Sequence, residues 1–309
     1  MYIGIDVGGT NLKAGLVDGD GKILAVERVP LDFQGPEAFA RTLAELAETV
    51  LKTRGAEGVE YVGVGLPGAV SGGDILFTTN IPMENVPLET LFRRHLDLPL
   101  LLGNDADCAA VGEFTCGAGK GTRDFAVVTL GTGIGAGLIL DGKLRGGLAS
   151  SEAGHMVICR DGLACNCGRH GCWETYASAT GLIRLTREAM EAHPESALHT
   201  VAAENGGVEG RTAFQAAELG DKTALAVCRQ YVEYLASGTV SLINLLRPEI
   251  VAIGGGVAAA PERLLMEPLR QIAAQECFAQ HGGRVTRIQR AELGNDAGII
   301  GAALLGKVI

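Results

Sequence analysis

SEAGHMVICRDGLACNCGRHGCWE, residues 151–174, gathers four of the chain's eight cysteines and two of its six histidines. His155 precedes Cys165 by ten positions, Cys165 and Cys167 are one residue apart, and Cys172 follows five later. One imidazole and three thiolates make a closed tetrahedral donor set for Zn2+, and such a loop has little apolar content to hold it together otherwise. Cys159 and His170 are rival ligands, able to replace a cysteine or His155. A disulfide is the plain alternative, but C-x-C closes a strained bridge. Four protein ligands leave no open position for a metal-bound water, which disfavours a zinc hydrolase. Cys108, Cys116, Cys228 and Cys277 fall in helical patterns and read as packing residues.

Around this stretch lie 309 residues, 47 % of them apolar, enough for two domains with cores of their own. The 45 glycines follow no collagen-like period and point to many tight turns. A formal net charge of −10 argues against nucleic acid or an anionic membrane as the main partner. It leaves room for a small anionic ligand, because backbone N–H groups bind phosphate without net positive charge. The start, MYIGIDVGGT, has neither a basic n-region nor an apolar h-region. The longest nearly apolar run, FAVVTLGTGIGAGLIL, is too short for a membrane span and is broken by glycines. A cytoplasmic protein is expected, where structural disulfides are rare.

YIGID, LKAGLV and KILAVERV read as a three-stranded antiparallel meander. Helical spacing of Phe39, Leu43, Leu46, Val50 and Leu51 predicts a helix over 36–54. VEYVGVGLPG reads as a buried strand ending in a Pro–Gly turn, and DADCAAVGEFTCGAG as a short helix. DFAVVTL, AGLIL and KLRG form a second set of strands, and 147–175 is loop-like. Helices follow in SATGLIRLTREAMEAH, KTALAVCRQYVEYLASGTVSLINLL and PERLLMEPLRQIAAQECF, with strands in EIVAIGG and RVTRIQRAEL and a last helix in DAGIIGAALLG. GTNLKAGLVDGDGK and GTGIGAGLILDGK echo each other weakly. Two similar α/β halves would produce that echo, and so would any two glycine-rich hairpins.

Three glycine turns each follow a buried strand: DVGGTN, LGTGIG and IGGG. Such turns let backbone N–H groups approach a phosphate or a flat base. In the first, Asp6 could orient hydrated Mg2+, and Thr10 and Asn11 add side-chain donors; a bare hairpin is the bland alternative. TLGTGIGAG matches the dinucleotide pattern but continues as a strand instead of opening a helix, and CGAGKGT fails the Walker pattern, so both are set aside. In GNDADCAA, Asp105 stands where a helix N-cap is the usual role; a general base is the functional alternative, with Asp107 nearby as a competitor.

DVGGTN, GLPG, GNDAD, LGTGIGAG, E-A-G-H, C-N-C-G-R-H-G-C-W-E and IGGG occur in the order found in the ROK family of bacterial sugar kinases and repressors. The chain resembles that family from about residue 2 to 306, its glucokinase members most. The resemblance implies an actin-like (ribonuclease H-like) two-domain α/β sugar kinase fold with a cleft between domains. The expected division is 1–117 plus 292–309 for the small domain and 118–291 for the large domain with the zinc loop. It implies Asp105 as catalytic base, and Gly68, Asn104, Glu152, His155 and Glu174 around a hexose. Asp6, Gly8, Gly9, Thr10, Asn11, Lys13, Thr132 and Gly133 would surround the phosphates of Mg2+-bound ATP, with Gly255 and Gly256 near the nucleoside. His155, Cys165, Cys167 and Cys172 would hold a structural Zn2+. The implied reaction is phosphoryl transfer from ATP to the 6-hydroxyl of a hexose, glucose first, by a homodimer or homotetramer. Kinases for other hexoses and a non-catalytic sugar sensor are the alternatives. Only Met1 to Ile5 precede the first glycine turn, so the helix-turn-helix of the family's repressors is not expected. N-D-A-D departs from the family's usual N-D-A-N and sets a second carboxylate near the base, which could raise a pKa. NIPMENVPL lacks a tryptophan common in glucokinases, on the sugar side.

Overall fold

The computed structural model describes residues 1–54, 58–78, 80–146, 151–278 and 285–309. Two five-stranded sheets and one three-stranded sheet carry the fold. The first sheet begins with β1 (Tyr2–Val7), β2 (Asn11–Val17) and β3 (Ile23–Pro30), the antiparallel meander read from the sequence. Helix α1 (Pro36–Arg54) matches the predicted span and packs Phe39, Leu43, Leu46 and Val50 into the core with Ile3, Ile5 and Leu12. Strand β4 (Val62–Leu66) then adds parallel to β1.

Pro67–Gly68 is not the expected terminal turn. The chain runs on into β5 (Gly68–Ser71), β6 (Asp74–Thr78) and β7 (Glu84–Val86), a small antiparallel sheet. Gly68 has φ +148° and lies hard against the Phe77 carbonyl, a position closed to any side chain. After α2 (Leu88–Phe92), β8 (Leu100–Asn104) completes the first sheet in the order β3-β2-β1-β4-β8, and α3 (Asp105–Cys116) follows directly.

The second sheet repeats the plan. It takes β9 (Phe125–Leu130), β10 (Ile134–Leu140), β11 (Lys143–Leu144), β12 (Ile250–Gly254) and β13 (Arg287–Arg290) in the order β11-β10-β9-β12-β13. The echo between 9–22 and 131–143 is thus the trace of a repeated topology. Between β11 and β12 come the cysteine-bearing loop, α4 (Glu174–Ala177), α5 (Ala179–Ala192), α6 (Leu198–Glu204), α7 (Thr212–Glu218) and the 25-residue α8 (Lys222–Leu246). Residues 147–150 of the predicted loop, and Arg284 at the head of the last predicted strand, lie outside the described residues.

The helix expected over 261–278 is broken. A 3-10 turn covers Glu262–Leu264, and α9 (Met266–Glu276) starts afresh. Pro268 is the reason. A continuous helix would bury it in the interior, where it removes a hydrogen bond and clashes with the previous turn; starting at Met266 places it in the first turn, where no N–H is needed. Helix α10 (Ala297–Leu304) is followed by a 3-10 turn over Leu305–Lys307, and no helix among the described residues is long and apolar enough to cross a membrane.

By its contacts the chain divides into two compact units. One comprises 1–127, 136–151 and 291–309; the other comprises 128–135 and 152–290. In the first unit α3 and α10 meet backbone to backbone, with Gly112 against the Ala297 carbonyl and Gly301 against that of Cys108.

Candidate active site and metal centre

In the first unit, β1 delivers Asp6 to the edge of the DVGGTN turn, and the β1–β2 register sets Lys13 directly across from it. The turn closes with Gly8 N–H donating to the Asn11 carbonyl at 2.9 Å, and Asn11 Nδ2 donating to Thr10 Oγ1 at 2.8 Å. Gly8, Gly9, Thr10 and Asn11 are all exposed. Lys13 Nζ donates to Asp296 Oδ1 at 2.8 Å, a partner 283 residues away that local sequence could not indicate. Burial raises the Asp6 pKa, the Asp105 charge adds to that, and Lys13 opposes it.

Asp105 does not cap its helix. Asn104 does, its side-chain oxygen accepting the Ala106 N–H at 2.8 Å. The other end of the same amide donates to the Gly68 carbonyl at 3.0 Å, which brings Asn104 and Gly68 together. Asp105 Oδ1 lies 2.9 Å from the same N–H but keeps its carboxylate exposed. Protein crowds that carboxylate although water still reaches it, and this desolvation raises its pKa; the Ala106 N–H pulls the other way. Asp107, two residues on in the same first turn, is buried.

In the second unit, LGTGIG is braced from behind. Ala179 N–H donates to the Gly131 carbonyl at 2.8 Å and Thr180 Oγ1 to the Thr132 carbonyl at 2.7 Å, both from the start of α5. Gly255, at φ +82°, touches the Leu130 backbone, where a Cβ would stand 2.5–2.7 Å from three main-chain atoms. These turns line a pocket of about 730 Å3. Thr132 and Gly256 are candidates from the sequence; Arg211, just before α7, and Phe214 and Gln215 within it also line the pocket but follow no glycine turn after a buried strand.

The cysteine loop is built by short turns. Cys165 N–H donates to the Arg169 carbonyl at 2.8 Å, and Trp173 N–H to the Met156 carbonyl at 2.7 Å. Gly171, at φ +79°, leaves no space for a side chain beside the Cys159 carbonyl. One ligand atom each from His155, Cys165, Cys167 and Cys172 lie within 4.8 Å of one another. Cys165 Sγ is 3.6 Å from His155 Nδ1, and Cys167 Sγ is 3.6 Å from Cys172 Sγ. Tetrahedral zinc at ordinary bond lengths separates such atoms by about 3.5–3.8 Å, so the donor set fits. Neither Cys159 nor His170 belongs to the cluster. No two of the eight cysteines are bonded to each other, and the Cys167 and Cys172 sulfurs stand 3.6 Å apart, beyond a disulfide's reach.

The same loop collects the remaining predicted residues around one imidazole. Glu152 Oε2 is 3.8 Å from His155 Nε2, and Glu174 Oε1 is 3.6 Å from Nδ1. Glu174 Oε2 also accepts from Ile134 N–H at 3.4 Å, which links the cluster to the LGTGIG turn.

Residues 2–308 match the ROK family. The chain belongs to the ROK family. It is 38 % identical to a glucokinase of Thermotoga maritima, over 99 % of this chain and 96 % of that protein. It is 35 % identical to a glucokinase of Streptomyces coelicolor, over 99 % and 98 %. The crystal structure of a ROK family glucokinase from Streptomyces griseus in complex with glucose and AMPPNP superposes with a TM-score of 0.78 at 35 % identity, covering 98 % of each chain. The fold is therefore the mixed α/β fold of ROK sugar kinases, with two five-stranded sheets.

Proposed function

We propose that this ROK protein is an ATP-dependent hexose kinase that phosphorylates the 6-hydroxyl of glucose. The observation that carries the proposal is Asp105: a solvent-reached carboxylate with a raised pKa at the head of α3, next to the capping Asn104, whose amide reaches Gly68. The full-length similarity to glucokinases, one of them in complex with glucose and AMPPNP, supports the substrate pair.

Asn104 and Gly68 orient the sugar, together with Glu152, His155 and Glu174. Asp105 takes the proton of the 6-hydroxyl as that oxygen attacks the γ-phosphorus of Mg·ATP in line, and ADP departs. Those backbone N–H groups of the two turns that are not spent within the fold, at Gly9, Thr10, Thr132 and Gly133, stabilise charge on the phosphates, with Asp6, Asn11 and Lys13 around them. The nucleoside lies against Gly255 and Gly256. His155, Cys165, Cys167 and Cys172 would hold Zn2+, whose contribution when bound is to cross-link the loop that reads the sugar. The protein acts in the cytoplasm as a homodimer or homotetramer.

The test couples ADP release to a panel of glucose, mannose, fructose, allose, N-acetylglucosamine and N-acetylmannosamine, for wild type and Asp105→Asn. Glucose is expected to give the highest kcat/KM, and the variant to bind sugar without transfer. Preference for another hexose revises the substrate; normal turnover by the variant sinks the mechanism.

A further inference from the structure

Glu113 sits near the end of α3, two turns beyond Asp105, with no solvent exposure at all. The proposed reaction does not use it. A carboxyl group so placed needs hydrogen-bond partners for its oxygens. It has three, all backbone N–H groups: Oε2 accepts from Ala118 at 2.9 Å and from Glu292 at 3.0 Å, and Oε1 accepts from Leu293 at 2.7 Å. Gly117 lies so close to Oε2 that a side chain there would displace it.

Two of those donors belong to the segment that opens into α10. Glu292 and Leu293 lead into the Gly294–Asp296 turn, whose Asp296 carboxylate holds Lys13 at 2.8 Å. Two residues later Gly298 faces Asp6, where a Cβ would stand 3.0–3.2 Å from the carboxylate atoms. One short stretch therefore sets both the ammonium and the carboxylate at the first glycine turn, and Glu113 fixes that stretch at its start.

We infer that Glu113 is a positioning residue of the nucleotide site: it locks residues 292–298, through them aligns Lys13 and Asp6 for a magnesium-bound nucleotide, and leaves the sugar groups alone. The inference rests on the kinase proposal for its ligand, but its structural step is independent of it. Both carboxylate oxygens are used as acceptors. An amide at 113 offers only one, so one N–H of the stretch meets an N–H donor instead.

The experiment compares wild type, Glu113→Gln, Asp296→Asn and the double variant. Calorimetry reads the Kd for Mg·AMPPNP and, separately, for glucose; amide hydrogen exchange reads residues 292–298. Glu113→Gln is expected to speed exchange there and to weaken nucleotide binding about tenfold, the usual loss when a supporting partner is removed, with glucose Kd within twofold. Asp296→Asn changes an exposed side chain and keeps the fold, so it tests the relay even if Glu113→Gln does not fold. It is expected to weaken nucleotide binding selectively, and the double variant to be no worse than the worse single one. The inference is overturned if nucleotide and glucose affinities fall together, if Asp296→Asn leaves nucleotide affinity unchanged, or if the two effects multiply. A wild type that binds no nucleotide would refute the kinase proposal instead, and unchanged exchange at 292–298 would still refute the lock on its own.

Discussion

Trp173 lies in a notch on α8 that exists because residue 238 is glycine. A Cβ on Gly238 would run into the indole, which is fully buried and donates from Nε1 to the Tyr234 carbonyl at 2.9 Å. Trp173 stands between Cys172 of the donor cluster and Glu174, so this notch anchors the cysteine loop to the 25-residue α8. In an exposed helix, Gly→Ala gains about 1 kcal/mol. Here overpacking, typically about 1–3 kcal/mol, opposes it. Gly238→Ala is therefore expected to lower stability in urea unfolding followed by Trp173 fluorescence; an increase would show that the notch is slack.

Removal of the metal is expected to loosen the loop without unfolding the protein. Near one zinc per chain should be found after purification without added metal, and Cys167→Ser, at an exposed ligand, should lower that count. Chelation should change Trp173 emission and weaken glucose binding, because His155, Glu152 and Glu174 share the loop. A metal count of zero with all thiols titrating would refute the site.

Asp105 has a folded-state pKa above its unfolded value, so folding binds a proton there. Stability from this group is complete below the unfolded pKa and is lost as pH rises through the folded one. Asp105→Asn should then raise Tm at pH 7 relative to wild type, and the gain should shrink toward pH 4. The gain should be modest, since water reaches the carboxylate. A lower Tm at pH 7 for the variant would contradict this sign. In wild type, the acid limb of kcat/KM should lie above the ordinary aspartate range.

Asn104 combines two roles that substitutions can separate. Asn104→Ser retains a capping oxygen but loses the donor to Gly68, so stability should stay within about 0.5 kcal/mol while glucose KM rises. Asn104→Ala loses both, and should cost about 1 kcal/mol in addition. Equal glucose KM for serine and wild type would remove the Gly68 tether from the account.

Local spacing made much of this legible. The four cluster ligands fall within eighteen residues, and a turn-built loop keeps sequence neighbours in contact. Helices α1 and α8 declared themselves because their apolar faces repeat over many turns. What stayed hidden acts at long range. Glu113 meets two of its three partners 179 and 180 residues away, and Lys13 meets Asp296 283 away. The cap at 104 was misassigned to 105 because asparagine and aspartate are equally good caps, and only the backbone decides which one sits outside the helix.

The repeated strand order bears on where novelty can enter such a chain. After β3 the chain reaches β4 with a single helix, whereas after β11 it makes the whole excursion of residues 145–249 before β12. The same blueprint thus folds once with no thiol in that connection and once with five, Cys228 of α8 among them. The first copy serves as a built-in control: the sheet plan forms without any donor cluster in that connection, and the cysteine cluster belongs to one of the two junctions alone.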